Sequence, residues 1–262
     1  MQKYAVIGTG NMGGALARAL CKKLPGQNVI LFNRTAAKAQ RLAEALGCAV
    51  ADSACEAAAQ ADYILLGVKP YMMRDVIDGI QGVLRPGHVL VTMAPGITMD
   101  DVRAMAGGDY PVIRIMPNTP VSIGAGMTLY AADSYTRGEI LDTFLKDLFA
   151  SGRFCQLPEH LMDAGSAISG CGPAFADLFM EALADGGVAC GLPRAQAYEL
   201  AAQMLVGAAG LALEGPHPGV LKDQVCSPGG TTIQGVRALE KGGLRSAVME
   251  AVIAAFEKSI GK

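Results

Sequence analysis

The stretch YAVIGTGNMGGALARALCKKL, Tyr4–Leu24, decides the fold of the first half of the chain. Tyr4–Gly8 is a short apolar run of strand character, and Asn11–Leu24 repeats its apolar residues with helical period. Between them lies GTGNMG, Gly8–Gly13, in G-x-G-x-x-G spacing. In that spacing Gly8 permits a tight turn, Gly10 lets the backbone approach a pyrophosphate, and Gly13 lets the helix pack near the strand. The helix N-terminus favours an anion in its own right. Gly8, Gly10, Asn11, Met12 and Gly13 are therefore expected to bind a dinucleotide. A glycine turn without a ligand is the plainer alternative, and the motif's place between strand and helix argues against it.

The same alternation runs on to about residue 157. Val29–Asn33, Tyr63–Val68, Val89–Met93 and Val112–Met116 read as strands, and Ala36–Leu46, Met72–Val83 and Met99–Ala106 as helices. Gly47 follows the second helix in the usual C-terminal glycine position. Strands that are apolar almost throughout, separated by helices, predict a parallel sheet covered on both faces. Met127–Ala131 and Phe154–Leu157 extend it, with Tyr135–Ala150 as another helix. The first domain, residues 1–158, is thus an α/β, doubly wound sheet of Rossmann type.

Residues 159–262 have another texture. Ala-, Leu- and Met-rich segments at 173–190, 194–214, 229–241 and 244–259 are separated by short connections such as GLP (191–193) and EGPHPG (214–219). This predicts an all-helical second domain. Its apolar content exceeds what one small helical unit hides, so a buried subunit interface is expected rather than a single intrachain core. Within it, Ser227-Pro228 opens the segment SPGGTTIQG like a helix start, with Ser227 as N-cap and Pro228 at the first helical position. Two weak helix formers, Gly229 and Gly230, then occupy the first turn.

Composition narrows the partners. The chain has 262 residues, enough for two cores, with 22 Lys plus Arg against 24 Asp plus Glu. That balance gives no electrostatic reason to expect nucleic acid or an anionic membrane. The N-terminus runs into strand pattern without a targeting segment, and no apolar run nears the roughly 20 residues of a membrane span. The seven cysteines are scattered and never spaced CxxC, and the three histidines are isolated. A reduced, cytoplasmic protein without a metal site is expected.

The end of the second strand selects the dinucleotide. An NAD site is expected to carry Asp or Glu there, whereas this chain has Asn33-Arg34-Thr35, with Lys38 one turn later. An amide, a guanidinium and a hydroxyl suit a 2′-phosphate. NADPH is therefore the expected cofactor, with NADH as the alternative, unless Arg34 is merely a solvated charge. Val68, Lys69 and Pro70 end the next strand, Ala94 and Gly96 the one after, and Asn118 follows the fifth. These read as walls of the nicotinamide pocket, acting through backbone and shape. Asn118 is either a hydrogen-bonding residue or a turn former between prolines.

GTGNMG, GVKP, IRIMPNTP, SGCGPAF and above all LKDQVCSPGGTTIQGVRALEKGGLR together resemble the pyrroline-5-carboxylate reductase family, in order and over essentially the whole chain. The resemblance implies reduction of L-1-pyrroline-5-carboxylate to L-proline, the last step of proline biosynthesis, with NADPH or NADH. It implies a Rossmann domain followed by a helical dimerisation domain, a homo-oligomer built from interlocked homodimers, commonly joined into decamers, and an active site between the nucleotide domain of one chain and the helical domain of its partner. It also places Thr232 against the ring nitrogen as the catalytic residue. The substrate carboxylate is then expected at backbone N–H groups of Gly229, Gly230, Thr231 and Thr232, with Ser227 and Thr231 supporting it.

The chain departs from the family pattern at Cys171 and Phe175, where SGSGPAY is usual, and at Pro95, where alanine is usual. Neither Cys171 nor Phe175 can then be an essential oxygen donor. Two rivals are weaker. A β-hydroxyacid dehydrogenase would carry a lysine near Ala176 to handle the alcohol proton, and none is there. A non-catalytic NADPH-binding regulator has no need of a second anion site such as SPGGTT.

Overall fold

The computed structural model describes residues 1–136 and 138–261, which fall into two compact units, Met1–Gly170 with Phe256–Lys262, and Cys171–Ala255. The first unit is built on strands β1 (Tyr4–Ile7), β2 (Val29–Phe32), β3 (Ala49–Val50), β4 (Tyr63–Leu66), β5 (Val89–Thr92), β6 (Val112–Pro117), β7 (Gly126–Ala131) and β8 (Gly152–Gln156). Their order in one sheet is β3-β2-β1-β4-β5-β6-β7-β8. The order reverses at β1, which lies between β2 and β4 in parallel register, and this is the switch point where doubly wound sheets bind ligands.

Helices α1 (Asn11–Cys21), α2 (Ala36–Leu46), α3 (Ala54–Ala59), α4 (Met73–Ile80), α5 (Met99–Ala106), α6 (Glu139–Asp147) and α7 (Met162–Ser169) complete this unit. Alternate strand residues supply two cores. Tyr4, Val6, Leu31, Leu65 and Ile113 meet Leu16, Leu20 and Phe144, whereas Ala5, Ile7, Ile64, Leu66 and Leu90 meet Met73, Ile77 and Val102. Because both faces are covered, the central strands are apolar throughout rather than alternating. Each fully buried Ile or Leu stabilises by about 1.5–3 kcal/mol, which lets strands of only four residues hold.

Several expectations need correction. The sheet is not wholly parallel: β7 runs antiparallel to β6, and β8 parallel to β7. Residues 118–125 are too few for the crossover of a dozen or more residues that a parallel neighbour requires. β3 and α3 escaped the sequence reading, one being two residues long and the other a six-residue helix started by Ser53, whose Oγ accepts from the Glu56 N–H at 3.0 Å. The helix expected over Tyr135–Ala150 is the shorter α6. Asp133 Oδ1 accepts from the Tyr135 N–H, and Gly138, at φ +73°, caps α6 from a non-helical conformation. Arg137, within that expected helix, lies outside the described residues.

The second unit holds α8 (Gly172–Ala189), α9 (Arg194–Leu213), α10 (Pro218–Val225) and α11 (Thr231–Lys241), with α12 (Leu244–Ser259) as far as Ala255. α10, rich in polar residues, was not foreseen. Among the described residues of α8–α12, only Ala184, Ala197 and Ala201 are buried. Leu178, Leu200, Met204, Val206, Leu211 and Met249 are exposed. A groove of about 590 Å³, lined by Phe175, Leu178, Phe179, Leu244 and Val248, crosses the same unit. So much bare apolar surface is the mark of a face that another surface covers.

Candidate active site

Three glycines shape the turn after β1, each for a different spatial reason. Gly8 sits at φ +99°, and a Cβ there would lie 2.5 Å from the Gly67 carbonyl oxygen. A Cβ on Gly13 would lie 2.0 Å from the Gly8 carbonyl oxygen, so α1 can approach β1 only without a side chain. Gly10 differs, since a Cβ there would meet nothing within 4 Å. Its bareness serves no protein neighbour and leaves space over the turn. Gly67, absent from the sequence reading, closes the same knot, because its own Cβ would lie 2.7 Å from the Gly8 oxygen.

Gly10 is also the N-cap of α1, with no side chain capping the helix, and the first intrahelical donor is the Gly14 N–H, 2.8 Å from the Gly10 oxygen. Helix geometry therefore leaves the N–H groups of Asn11, Met12 and Gly13 free at the positive end of the helix. A cavity of about 480 Å³ opens here, lined by Gly10, Asn11, Arg18, Lys38, Arg41 and Ser122 among others. Among the described residues, no carboxylate pairs with Arg18, Lys38 or Arg41. A cavity with three uncompensated cations and a bare helix N-terminus suits a polyanion such as a dinucleotide phosphate chain. Arg18, Arg41 and Ser122 were missed. The signal for two of them was spacing, Arg18 four residues after Gly14 and Arg41 three after Lys38.

Asn33 has a different position from a free contact. Its Oδ1 accepts from the Thr9 N–H at 3.1 Å, and its Nδ2 donates to the Thr35 carbonyl at 3.1 Å. It thereby ties the glycine turn to the loop after β2. Arg34 and Thr35 are exposed at the start of α2, and Thr35 is the N-cap with its hydroxyl uncommitted to the helix.

The walls expected beyond β4, β5 and β6 are turns. Val68 lies beside Gly8, with its Cγ1 3.2 Å from where a Gly8 Cβ would be, and Lys69 precedes a short 3-10 turn at Pro70–Met72. Ala94 to Ile97 form a turn closed by the Ile97 N–H on the Ala94 carbonyl, with Pro95 second and Gly96 third at φ +71°. That is the type II pattern, which requires a glycine-like conformation at its third residue. Asn118 uses both ends of its amide on the protein. Its Nδ2 donates to the Ser169 carbonyl at 3.0 Å and its Oδ1 accepts from the Met127 N–H at 2.9 Å, joining the end of β6 to β7 and α7.

In the second unit the SPGGTT segment corrects the expected helix start. Ser227 is not the N-cap. Ser227–Gly230 form a turn in which the Gly230 N–H donates to the Ser227 carbonyl at 3.0 Å, with Pro228 second and Gly229 third at φ +71°. A positive φ cannot continue a helix, so α11 begins three residues later than expected, at Thr231, with Gly230 as N-cap and no capping side chain. The Gly230 N–H is thus occupied. The free first-turn donors are those of Thr231, Thr232 and Ile233, and both threonine hydroxyls stand at that same helix end.

Two family models divide the chain at these features. Residues 3–96 match the model described as "NADP oxidoreductase coenzyme F420-dependent", and residues 159–261 match "Pyrroline-5-carboxylate reductase dimerisation". Pyrroline-5-carboxylate reductase of Escherichia coli K12 is 40% identical over 262 residues, covering 98% of this chain and 97% of that protein. The Pisum sativum enzyme is 38% identical over 257 residues, covering 97% and 93%. The structure of a pyrroline-5-carboxylate reductase from Coxiella burnetii superposes with a TM-score of 0.91 at 29% identity, covering 98% and 97%. That of Plasmodium falciparum pyrroline carboxylate reductase with NADP bound gives 0.88 at 30% identity, with the same coverage. With likeness spanning both units from end to end, the chain belongs to the pyrroline-5-carboxylate reductase family.

Proposed function

We propose that the chain reduces L-1-pyrroline-5-carboxylate to L-proline, the last step of proline biosynthesis, with NADPH preferred and NADH as the alternative. Family membership supports the reaction. The observation that carries the residue assignment is the uncapped start of α11, where a glycine N-cap leaves three N–H groups and two threonine hydroxyls at one helix end. The bound nicotinamide supplies a hydride to the imine carbon; the protein supplies orientation and charge.

The Thr231, Thr232 and Ile233 amides hold the substrate carboxylate, with Gly229 and Gly230 keeping the approach free of side chains. Ser227 supports the turn, since its Oγ lies 2.4 Å from where a Gly230 Cβ would stand. The Thr232 hydroxyl orients the ring nitrogen, which arrives protonated, so no strong acid is needed. Gly8, Gly10, Asn11, Met12 and Gly13 bind the pyrophosphate, and Arg34 and Thr35 bind the 2′-phosphate. Asn33 and Asn118 act by positioning loops. Val68, Lys69, Pro70, Ala94 and Gly96 wall the nicotinamide.

The chain works as an interlocked homodimer, assembled further into a decamer, and in the cytoplasm. The exposed apolar helices of the second unit support the first part, and no described helix is long and apolar enough to cross a membrane. The decisive experiment follows nicotinamide absorbance with the purified protein and pyrroline-5-carboxylate. Substrate-dependent oxidation of NADPH is expected. Cofactor binding with no turnover would leave the regulator reading in its place.

A further inference from the structure

The sulfurs of Cys21 and Cys48 lie 3.4 Å apart, although the two residues are far from each other in sequence. Cys21 is the last residue of α1. Cys48 follows Gly47, which at φ +68° ends α2, and the N–H groups of both residues bond the Ala43 carbonyl at 2.7 and 3.1 Å. Two helix ends thus hold the pair in place. Both thiols are half-buried and packed against the sheet's core. Among the described residues no other two cysteine sulfurs are in hydrogen-bond contact.

We propose that Cys21 and Cys48 are a dithiol modification site, oxidised by peroxide to an internal disulfide and restored by a dithiol reductant. A disulfide needs the sulfurs at roughly 2.05 Å, a closure of about 1.4 Å that side-chain rotation can supply. Hydrogen bonding between the two sulfurs favours the thiolate on the one that accepts, and the thiolate is the nucleophile that attacks first. Its sulfur takes one peroxide oxygen, becoming a sulfenic acid, while the other oxygen leaves as hydroxide and is protonated to water. The sulfur of the other cysteine then attacks the sulfenic sulfur and a second water leaves. Two thiols lose two protons and two electrons, and one peroxide takes them up to become two waters.

The pair lies at the C-terminal end of α1, about 15 Å along the helix from Asn11 at a rise of 1.5 Å per residue, and so outside the cofactor turn. The test treats the full-length protein with a small excess of hydrogen peroxide, then blocks remaining thiols and maps peptides. The expected result is a cross-linked peptide pair carrying Cys21 and Cys48, with a loss of two mass units that dithiothreitol reverses. In C48S or C21S the linked peptide should vanish, and the cysteine left in place should accumulate a sulfenic acid trapped by dimedone. Exposed Cys171 and Cys190 serve as internal references for unassisted oxidation. Absence of the linked peptide while Cys171 or Cys190 oxidises would overturn the proposal.

Discussion

Gly10→Ala and Gly13→Ala add the same methyl group three residues apart and should fail in opposite ways. At Gly13 the new Cβ would lie 2.0 Å from the Gly8 carbonyl oxygen and 3.4 Å from Val6 Cγ1. Ordinary contact requires 3.4 Å or more, so α1 must retreat by about 1.4 Å, carrying the buried Leu16 and Leu20 off the sheet. Overpacking of this kind costs about 1–3 kcal/mol, and the obstacle here is backbone, which places the cost near 3. In a unit of this size each kcal/mol shifts Tm by roughly 2–4 °C, so Gly13→Ala should lower Tm by about 6–12 °C. At Gly10 the methyl meets nothing within 4 Å, and the cap conformation, φ −69° and ψ −167°, suits alanine. Folding should lose about 1 kcal/mol or less from the poorer cap. The methyl instead stands where a pyrophosphate approaches the free helix amides, and the Kd for NADPH should rise at least about tenfold, or 1.4 kcal/mol. Differential scanning fluorimetry and fluorescence titration of NADPH separate the two. A Gly10→Ala protein that binds NADPH as tightly as wild type, or a Gly13→Ala protein with wild-type Tm, refutes the division of labour between the glycines.

Arg34→Ala should raise KM for NADPH by about 10- to 100-fold, the worth of a charged hydrogen bond, and leave KM for NADH nearly unchanged; parallel effects on both cofactors would remove Arg34 from the 2′-phosphate. Thr232→Ala should lower kcat about 10-fold or more without altering NADPH affinity, and Thr232→Ser should recover part of it, whereas unchanged kinetics at limiting and saturating substrate would exclude the hydroxyl from the reaction. His88 is fully buried, and burial, helped by nearby Arg85, holds its imidazole below the usual pKa of about 6.5. The folded state therefore binds fewer protons than the unfolded one, so this stability is present above about pH 6.5 and lost as pH falls through the folded pKa. Tm measured against pH should decline more steeply on acidification in wild type than in His88→Gln, and identical slopes would show that His88 does not carry the effect.

The nucleotide half was legible because its signals are local. Four-residue apolar runs, a glycine after Leu46 and a glycine-rich turn each act within a few residues, so α2 and α5 came out with their observed ends. What escaped depends on neighbours distant in sequence. The antiparallel setting of β7 follows from the shortness of a connection and from the pairing of Pro117 with Thr128, which no propensity encodes. Gly67 matters only because the Gly8 oxygen lies where its side chain would be. Asn33 and Asn118 carry hydrogen-bonding capacity that any sequence shows, and in the folded chain both ends of each amide engage the protein's own loops. Half-buried amides of this kind bond whichever loop lies across from them, and a sequence does not print which loop that is.

The SPGGTT segment shows how a misplaced boundary can sharpen a site. Ser-Pro suggested a cap and a first turn, since both residues favour helix starts. The pair Pro228-Gly229 equally fits the two middle positions of a type II turn, and the positive φ of Gly229 decides for the turn. Had the helix begun at Ser227, its hydroxyl would have been free to satisfy a first-turn amide, and both threonines would have pointed out from the second turn. Delayed to Gly230, the cap has no side chain, and the threonines become the first two residues of the helix. The donors freed by that delay, Thr231, Thr232 and Ile233, face the helix end together with the two hydroxyls. On the proposed reaction, such a pairing would serve the carboxylate and the ring nitrogen of one small substrate, with backbone donors for the charge and a hydroxyl beside them. The glycines are therefore best understood as moving the helix start rather than as weakening a helix already begun.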